Sequence, residues 1–547
     1  MHAETLAKGI LSLPFGQEAL FLNRVAKPLR LAPVNRLLDS QEPSVPNIVR
    51  TLRLWALFAA EALVADFFSL PSHLNFNHFA FGDGGFNLTV QFLVRQGYSP
   101  VIDFGFPYGA LSLLFGRAWF ALFGLTPAAY FAAIVVCDVI FALALARFAN
   151  RLRLHRSGIA LILAALPFAI LLTITFAHAL ERVLLSSALA EHAAGKRANS
   201  LALATAAIFT KPSMGYVYGL LLLLFMLRAS RPLSYHSIYQ YLRALMPAAI
   251  TGLCLAVLLS AAYRVPVVVH TLFPISGHDA YRANNFGFFG AGSAFWYFSG
   301  VHLGYYLGTG VSFWFGATIL VIFGGCYAAL RLLHRSKSNE GFDLNYELVV
   351  SCAVMQTAFI AFFFGSNASW TSYAYIPMMG VAAMCAWGGS LSRAGWALVL
   401  IGAVGQKSML TDNFHRWREM APSREMAGMW AMPDEHREWV QILAIIDGHS
   451  AIALVGDGAV QLLFEGFNRP VVGSYIHGQT TSGELARGLR QLAGSTVVVV
   501  PRVVENSGFL KTWPEFSEAL SGWSVVWRSP DFVVYERPAI SRGGAER

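Results

Sequence analysis

Long apolar runs separated by short basic clusters fill the chain from residue 48 to about residue 411. Runs of roughly 20 apolar residues are long enough to cross a bilayer as helices, the form that satisfies every backbone polar group without water. The pattern predicts spans at 48–70, at a run ending near Phe148, and at 158–177, 183–195, 198–210, 213–228, 244–263, 311–333, 347–365, 372–390 and 394–411, about eleven in all. Two of these are short for a crossing and are expected to be buried in the bundle or broken. The piece from Pro107 to Gly124 admits two readings, an interfacial helix or the start of a long tilted span.

Basic residues orient the set, because cytoplasmic loops collect lysine and arginine. The leader of residues 1–47, with Arg24, Lys27, Arg30 and Arg36, and then Arg50 and Arg53, places the N-terminus in the cytoplasm. Arg151, Arg153 and Arg156, the Lys196-Arg197 turn, Arg228 to Arg243, Arg331 to Lys337, and Arg393 fall inside in turn. An odd count then sends the C-terminus outside. The outer loops are predicted at 71–107 and 264–295. The loop around Asp83, the HALER step at 178–182, Lys211 and the 264–295 loop all fall on that outer face.

From about residue 434 onward the period changes. HREWVQILAIIDG reads as an amphipathic helix, SAIALVG as a strand, DGAVQLLFEGF as a helix and RPVVGSYI as a strand. SGELARGLRQLAG is a helix, STVVVVP a strand, and GWSVVWRS with DFVVYERP a terminal pair. Strands alternating with helices predict an open α/β sheet. The organisation is a leader (1–47), a transmembrane domain (48–411) and an extracytoplasmic α/β domain (412–547). The glycines at 456–458 lack the spacing and the acidic partner of a dinucleotide site.

Composition agrees with the span pattern. Of 547 residues 56% are hydrophobic, 14% aromatic and only 13% charged, against about 25% charged in soluble domains. Mean hydropathy is +0.51. In this setting the net charge of +9 marks cytoplasmic loops rather than a nucleic-acid partner. Five cysteines lie in apolar runs without CxxC spacing or a Cys/His cluster, which excludes a disulfide framework and a zinc site as readings of the pattern. His278-Asp279 is a pair of adjacent ligands without a third.

The stretch FAFGDGGFNLTVQFLVRQGYSPVIDFGFPYGALSLLFGRAWFALFG, residues 79–124, follows directly on the first span. It sets Asp83 among Gly82, Gly84 and Gly85, then Gly97, Tyr98, Pro100, Asp103, Phe104 and Pro107, and ends on Leu122-Phe123-Gly124. Glu181, Lys196-Arg197 and then Lys211 in FTKPSMG follow in order. In order and spacing these residues resemble the GT-C class of polytopic glycosyltransferases, which includes lipid A aminoarabinose transferases and protein O-mannosyltransferases. Two steps depart from the family: Asp83-Gly84 where Asp-Glu is common, and Pro107-Tyr108-Gly109 where Pro-Pro-Leu is common. The resemblance implies a mainly α, polytopic GT-C bundle in the inner membrane. It implies transfer of a sugar from a polyprenyl-phosphate carrier to a lipid, glycan or protein acceptor at the outer face. Some relatives use a divalent metal, and the sequence leaves cofactors open.

The residues suit that chemistry. The leaving group is a lipid phosphate, so the site needs cations on the phosphate and a carboxylate to orient and deprotonate the acceptor. Asp83 is the expected base; its bland alternative is a cap on a helix starting near Asn87. Asp103 either lies near the acceptor or holds its loop by bonding backbone amides. Glu181 orients the acceptor or pairs with Arg182. Lys211, Arg282 and Arg182 are candidates for the donor phosphate; Lys211 snorkelling to headgroups and Arg282 solvating its loop are the alternatives. A transporter or flippase for a lipid-linked or anionic substrate is the competing class, which would place its polar residues near mid-span with internal repeats. A non-catalytic scaffold in envelope assembly is the third.

Overall fold

The computed structural model describes residues 45–76, 83–171, 175–230, 234–273, 311–335, 344–363, 373–387, 395–397, 399, 407–449, 451–453, 482–502 and 514–538. The chain divides into two compact units, Met1–Arg50 and Thr51–Arg547, and the contacts given below lie within the second.

The apolar runs are helices: α1 (Val45–His73), α2 (Asp83–Arg95), α3 (Ala110–Phe123), α4 (Pro127–Arg151), α5 (Arg156–Ile170), α6 (Phe176–Ala193), α7 (Arg197–Thr210), α8 (Met214–Ala229), α9 (Tyr235–Tyr263), α10 (Val265–Leu272), α11 (Val311–Arg335), α12 (Leu344–Phe363) and α13 (Tyr375–Cys385). Among the described residues four helices are long and apolar enough to cross a membrane: Val49–His73, Pro127–Arg151, Tyr235–Tyr263 and Gly316–His334. Shorter apolar helices include Ala110–Phe123, Arg156–Ile170, Met214–Ala229, Leu344–Ile360 and Tyr375–Cys385.

Two boundaries differ from the sequence expectation and one falls on one of its two readings, each for a local reason. The 107–124 piece is a separate helix, not the start of a longer one. Gly124 ends it at φ +82, and Thr126 opens α4 by accepting the Ala129 amide hydrogen, with Pro127 in the first turn. Fourteen residues rise about 21 Å, too little for a full crossing. HALER is not a loop but the first turns of α6, because His-Ala-Leu-Glu-Arg contains no breaker and Ala, Leu, Glu and Arg favour helix. Residues 265–272, expected in an outer loop, form α10; the rest of that loop lies outside the described residues.

Small residues let the last helices of the bundle approach closely. A Cβ on Gly325 would stand 2.1 Å from Ala353 Cβ, and one on Gly380 would stand 2.7 Å from Val321. This brings α11 against α12 and α13.

The C-terminal part follows the predicted alternation. α14 (Lys407–Glu419) runs beside the end of α1: Trp417 Nε1 donates to the Phe68 carbonyl at 2.8 Å, and Ser72 bonds Asn413. A two-stranded ribbon, β1 (Ala421–Pro422) with β2 (Trp430–Ala431), leads into α15 (Pro433–Ile446). A four-stranded sheet follows. β3 (Ala451–Ala453) pairs in parallel with β4 (Val497–Pro501), and β4 pairs antiparallel with β6 (Phe532–Glu536). β6 in turn pairs antiparallel with β5 (Ser524–Arg528). α16 (Ser482–Ala493) and α17 (Pro514–Leu520) pack on it through Leu492, Phe516 and Leu520 against Val498 and Val500. The helix and strand expected at 456–477 lie outside the described residues. The opposite sheet face, with Val497, Val499, Phe532 and Val534, shares one apolar core with Trp439 of α15, Phe76, and Phe86, Phe104, Phe106 and Tyr108 of the segment that follows α1. Trp439 lies 6.1 Å from Phe76 and 5.7 Å from Phe532, ring centre to ring centre. The sheet thus rests on the segment that carries the candidate acids.

Candidate functional site

The turn between α7 and α8, Lys211-Pro212-Ser213, is where the separated motifs meet. Gly109 of the Pro107-Tyr108-Gly109 step donates its amide to the Thr210 carbonyl at 2.8 Å. A Cβ at 109 would lie 2.1 Å from the Phe209 carbonyl oxygen, so only glycine allows this approach. The contact sets the Tyr108 ring edge-on to His178, with centres 5.7 Å apart.

Around that turn a polar cluster forms. Lys211 Nζ bonds His178 Nε2 and donates to the Tyr373 hydroxyl at 2.7 Å. Because an ammonium has only donors, His178 Nε2 accepts, and Nδ1 carries the ring proton toward Thr175 Oγ1 at 2.5 Å. Ser213 Oγ donates to Glu181 Oε1 at 2.8 Å and lies 3.0 Å from the Tyr373 hydroxyl. The Tyr373 oxygen accepts from Lys211, so its own hydrogen goes to Ser213 Oγ or to Glu181, and both routes end on the same carboxylate. The cluster is therefore a directed chain from one cation to one carboxylate. Lys211, Ser213 and His178 are partly exposed, whereas Glu181 and Tyr373 are buried.

Glu181 and Arg182 are adjacent but face different ways. Glu181 serves Ser213. Arg182, 1% exposed, is ion-paired with Asp138 of α4, donates to the Ala169 carbonyl at 3.2 Å, and stands 4.8 Å above the Phe141 ring. Asp66 of α1, also buried, is a second acid in the field of the same guanidinium. The Arg182 guanidinium is thus held inside the bundle by α4 and α1.

Asp103 lies on the loop after α2. Its Oδ2 accepts from the Ser99 amide at 2.6 Å, which is the loop-holding arrangement. Asp83 is the first residue of α2, four residues before the expected helix start, with Gly84 and Gly85 buried beside it. Its side chain lies outside the described residues, as does all of Arg282. Among the described residues no group of three or more His, Cys, Asp or Glu side chains could hold a metal.

A groove of about 570 Å³ runs between α7, α8 and α9. It is lined by Leu201, Thr205, Ile208, Tyr216, Gly219, Leu220, Leu223, Leu245, Ala248 and Ala249. Of these, Ile208 and Tyr216 lie three residues before and five residues after Lys211 in sequence.

His178, Ser213, Tyr373 and the acids Asp66 and Asp138 were not candidates from the sequence. Tyr373 sits 162 positions from Lys211 without a local motif. Asp66 and Asp138 carry a usable signal, an acidic residue inside an apolar span.

No family model matches the chain, and no curated protein does. Among solved structures it is similar to the crystal structure of ArnT from Cupriavidus metallidurans bound to undecaprenyl phosphate, with 15% identity and a TM-score of 0.41. It is also similar to the apo state of the same protein, with 14% identity and a TM-score of 0.36. Each alignment covers 88% of this chain and 97% of the other.

Proposed function

We propose that this chain is a membrane glycosyltransferase that moves a sugar from a polyprenyl-phosphate donor to an envelope acceptor at the outer face of the inner membrane. The observation that carries the reading is the Lys211 elbow, where a lysine held by His178 and Tyr373 joins α7 to α8, two helices that also line an apolar groove. An amphiphile with an anionic head and an isoprenoid tail needs a cation and an apolar groove on neighbouring parts of the chain. The order of the Asp83, Asp103, Glu181 and Lys211 motifs supports the same reading through the resemblance to the GT-C class.

In that reaction an acceptor hydroxyl attacks the anomeric carbon, the bond from that carbon to the phosphate oxygen breaks, and the lipid phosphate leaves with the electron pair. Lys211 stabilises the leaving charge, and Tyr373 holds its ammonium in place. Asp83 takes the acceptor proton. Glu181 acts one step behind, orienting Ser213 and Tyr373. Asp103 holds its loop, Arg182 braces α6 against α4, and Arg282 is kept as a further phosphate ligand. The domain division stands with it: an N-terminal leader in the cytoplasm, a transmembrane domain over 48–411 and an outer α/β domain over 412–547.

One observation favours the transport reading. Asp138, Arg182 and Asp66 form a charged cluster buried in the bundle, where a substrate path has its polar groups. The two readings separate in reconstituted nanodiscs, which have no second compartment. With a polyprenyl-phosphate sugar and cell-envelope glycolipid supplied, the wild type is expected to release polyprenyl phosphate and Asp83→Asn to release none while still binding donor. Release by Asp83→Asn at the wild-type rate overturns the base assignment. If the wild type releases nothing but moves labelled lipid across sealed vesicles, the transport reading replaces this one.

A further inference from the structure

α16 presents an apolar stripe, Leu485, Leu489 and Leu492, to the sheet. A different face carries Arg487 and, one turn on, Gln491, which are neighbours on the helix surface. Arg487 is 7% exposed, and its guanidinium stands 4.6 Å from the centre of the Tyr98 ring. Nη1 donates to the Asp103 carbonyl at 3.3 Å. Among the described residues Nε and Nη2 of Arg487 meet no hydrogen-bond partner, and neither does Oε1 of Gln491.

A guanidinium keeps its charge in any protein environment, and burial without an anion is costly. The bond it makes goes to a neutral carbonyl, and the Asp103 carboxylate is turned to the Ser99 amide. What is left over is one edge of a planar fork, Nε with Nη2, the geometry that grips two oxygens of a carboxylate or phosphate. Beside it is an acceptor oxygen, which suits a hydroxyl. A buried donor pair and a buried acceptor one helical turn apart on α16, with the arginine against Tyr98 and Asp103 of the segment that follows Asp83, match an oxyanion on a polyol rather than a simple ion.

We propose that Arg487 and Gln491 form a subsite for an acidic sugar of the acceptor. Arg487 grips its carboxylate or phosphate, Gln491 Oε1 accepts from a ring hydroxyl, and Tyr98 holds the guanidinium flat. The assignment of the ligand to the acceptor rests on the glycosyltransferase reading; the anion preference does not. The outer α/β domain then selects the acceptor, while the Lys211 elbow holds the donor.

The test uses the full chain in nanodiscs, with calorimetric titration of glucuronate, glucose 6-phosphate, glucose and, separately, polyprenyl phosphate. The wild type is expected to bind glucuronate or glucose 6-phosphate at least tenfold more tightly than glucose. Arg487→Gln and Gln491→Glu are expected to lose that preference, Arg487→Lys to keep part of it, and all three to bind polyprenyl phosphate within twofold of wild type. Gln491→Glu carries the test if Arg487→Gln does not fold. A wild type that treats the three sugars alike overturns the proposal. So does a preference that survives in the folded variants, or polyprenyl-phosphate affinity that falls together with it. If the wild type binds no polyprenyl phosphate but its anion preference depends on Arg487, the glycosyltransferase reading fails and the subsite stands.

Discussion

Lys211 has its position set by His178 of α6 and by Tyr373, just before α13, and in the proposed reaction its charge faces the donor phosphate. Lys211→Ala is expected to weaken polyprenyl-phosphate binding at least tenfold, about 1.4 kcal/mol, with acceptor affinity unchanged; equal losses in both titrations would make it a structural lysine. Glu181 is buried behind Ser213, so Glu181→Gln, which keeps the size, is expected to lower kcat with little change in KM. A rise in KM alone would place Glu181 against substrate instead. In the α/β part, Glu438 has its carboxyl pushed up to about 7 by burial and by the neighbouring Asp531 carboxylate. The folded form therefore holds a proton that the unfolded chain releases near 4.5. The stability this gives is complete below about pH 4.5 and lost as the pH rises through 7. The midpoint of thermal unfolding, followed by tryptophan fluorescence, is expected to shift down between pH 5 and pH 8 in the wild type. Glu438→Gln is expected to reduce that slope; an unchanged slope would assign it to another group.

At the scale of elements, the meeting of the loop before α3 with the α7–α8 elbow is the joint of the site. Gly109→Ala places a methyl where the Phe209 carbonyl stands, so the two segments must part. We expect a loss of about 1–3 kcal/mol in stability and at least tenfold in turnover, read by thermal unfolding and by donor consumption. Normal activity would mean that the elbow does not depend on this contact. How much of this was legible follows from where the signals lie. From α15 to β6 the elements α15, β3, α16, β4, β5 and β6 were readable because runs such as Val497–Pro501 have a period and length of their own, whereas α17, in a short polar stretch, was not expected. Lys211 was readable from a Lys-Pro step at a span edge. The start of α6 was misplaced because His178, Glu181 and Arg182 look like loop polarity. In the fold they turn sideways, His178 to Thr175, Glu181 to Ser213 and Arg182 to Asp138. Tyr373 and Gly109 were invisible as partners, since their roles arise only from packing across more than 100 residues of chain.

For the molecule as a whole, α6 joins two polar networks. Its first turns hold His178 and Glu181. Near its other end His192 Nε2 lies 3.0 Å from Glu347, its Nδ1 lies 3.1 Å from the Tyr218 hydroxyl, and Arg197 donates to both Glu347 oxygens at 2.9 and 2.8 Å. Glu347 is fully buried, so Arg197→Ala strands a carboxylate and is expected to cost about 3 kcal/mol. Thermal unfolding in nanodiscs measures it, and a change under 1 kcal/mol would show that His192 alone suffices. A reporter fused after Arg547 is expected outside the cytoplasm; a cytoplasmic signal would reverse the orientation of every loop named above.

A rod pinned at top and bottom can neither slide nor swivel. Glu181 and His192 stand about 16 Å apart along that rod, the first tied to Ser213 in the α7–α8 turn and the second to Glu347 of α12 and Tyr218 of α8. In the proposed reaction a carrier lipid enters and leaves at every turnover. The give is then expected at the Lys211-Pro212 elbow, which lets go of Glu181 when Ser213 moves and where proline withholds a backbone donor. A cross-link that welds α7 to α8 would trap spent carrier in place, while one that ties α6 to α4 would leave the cycle running.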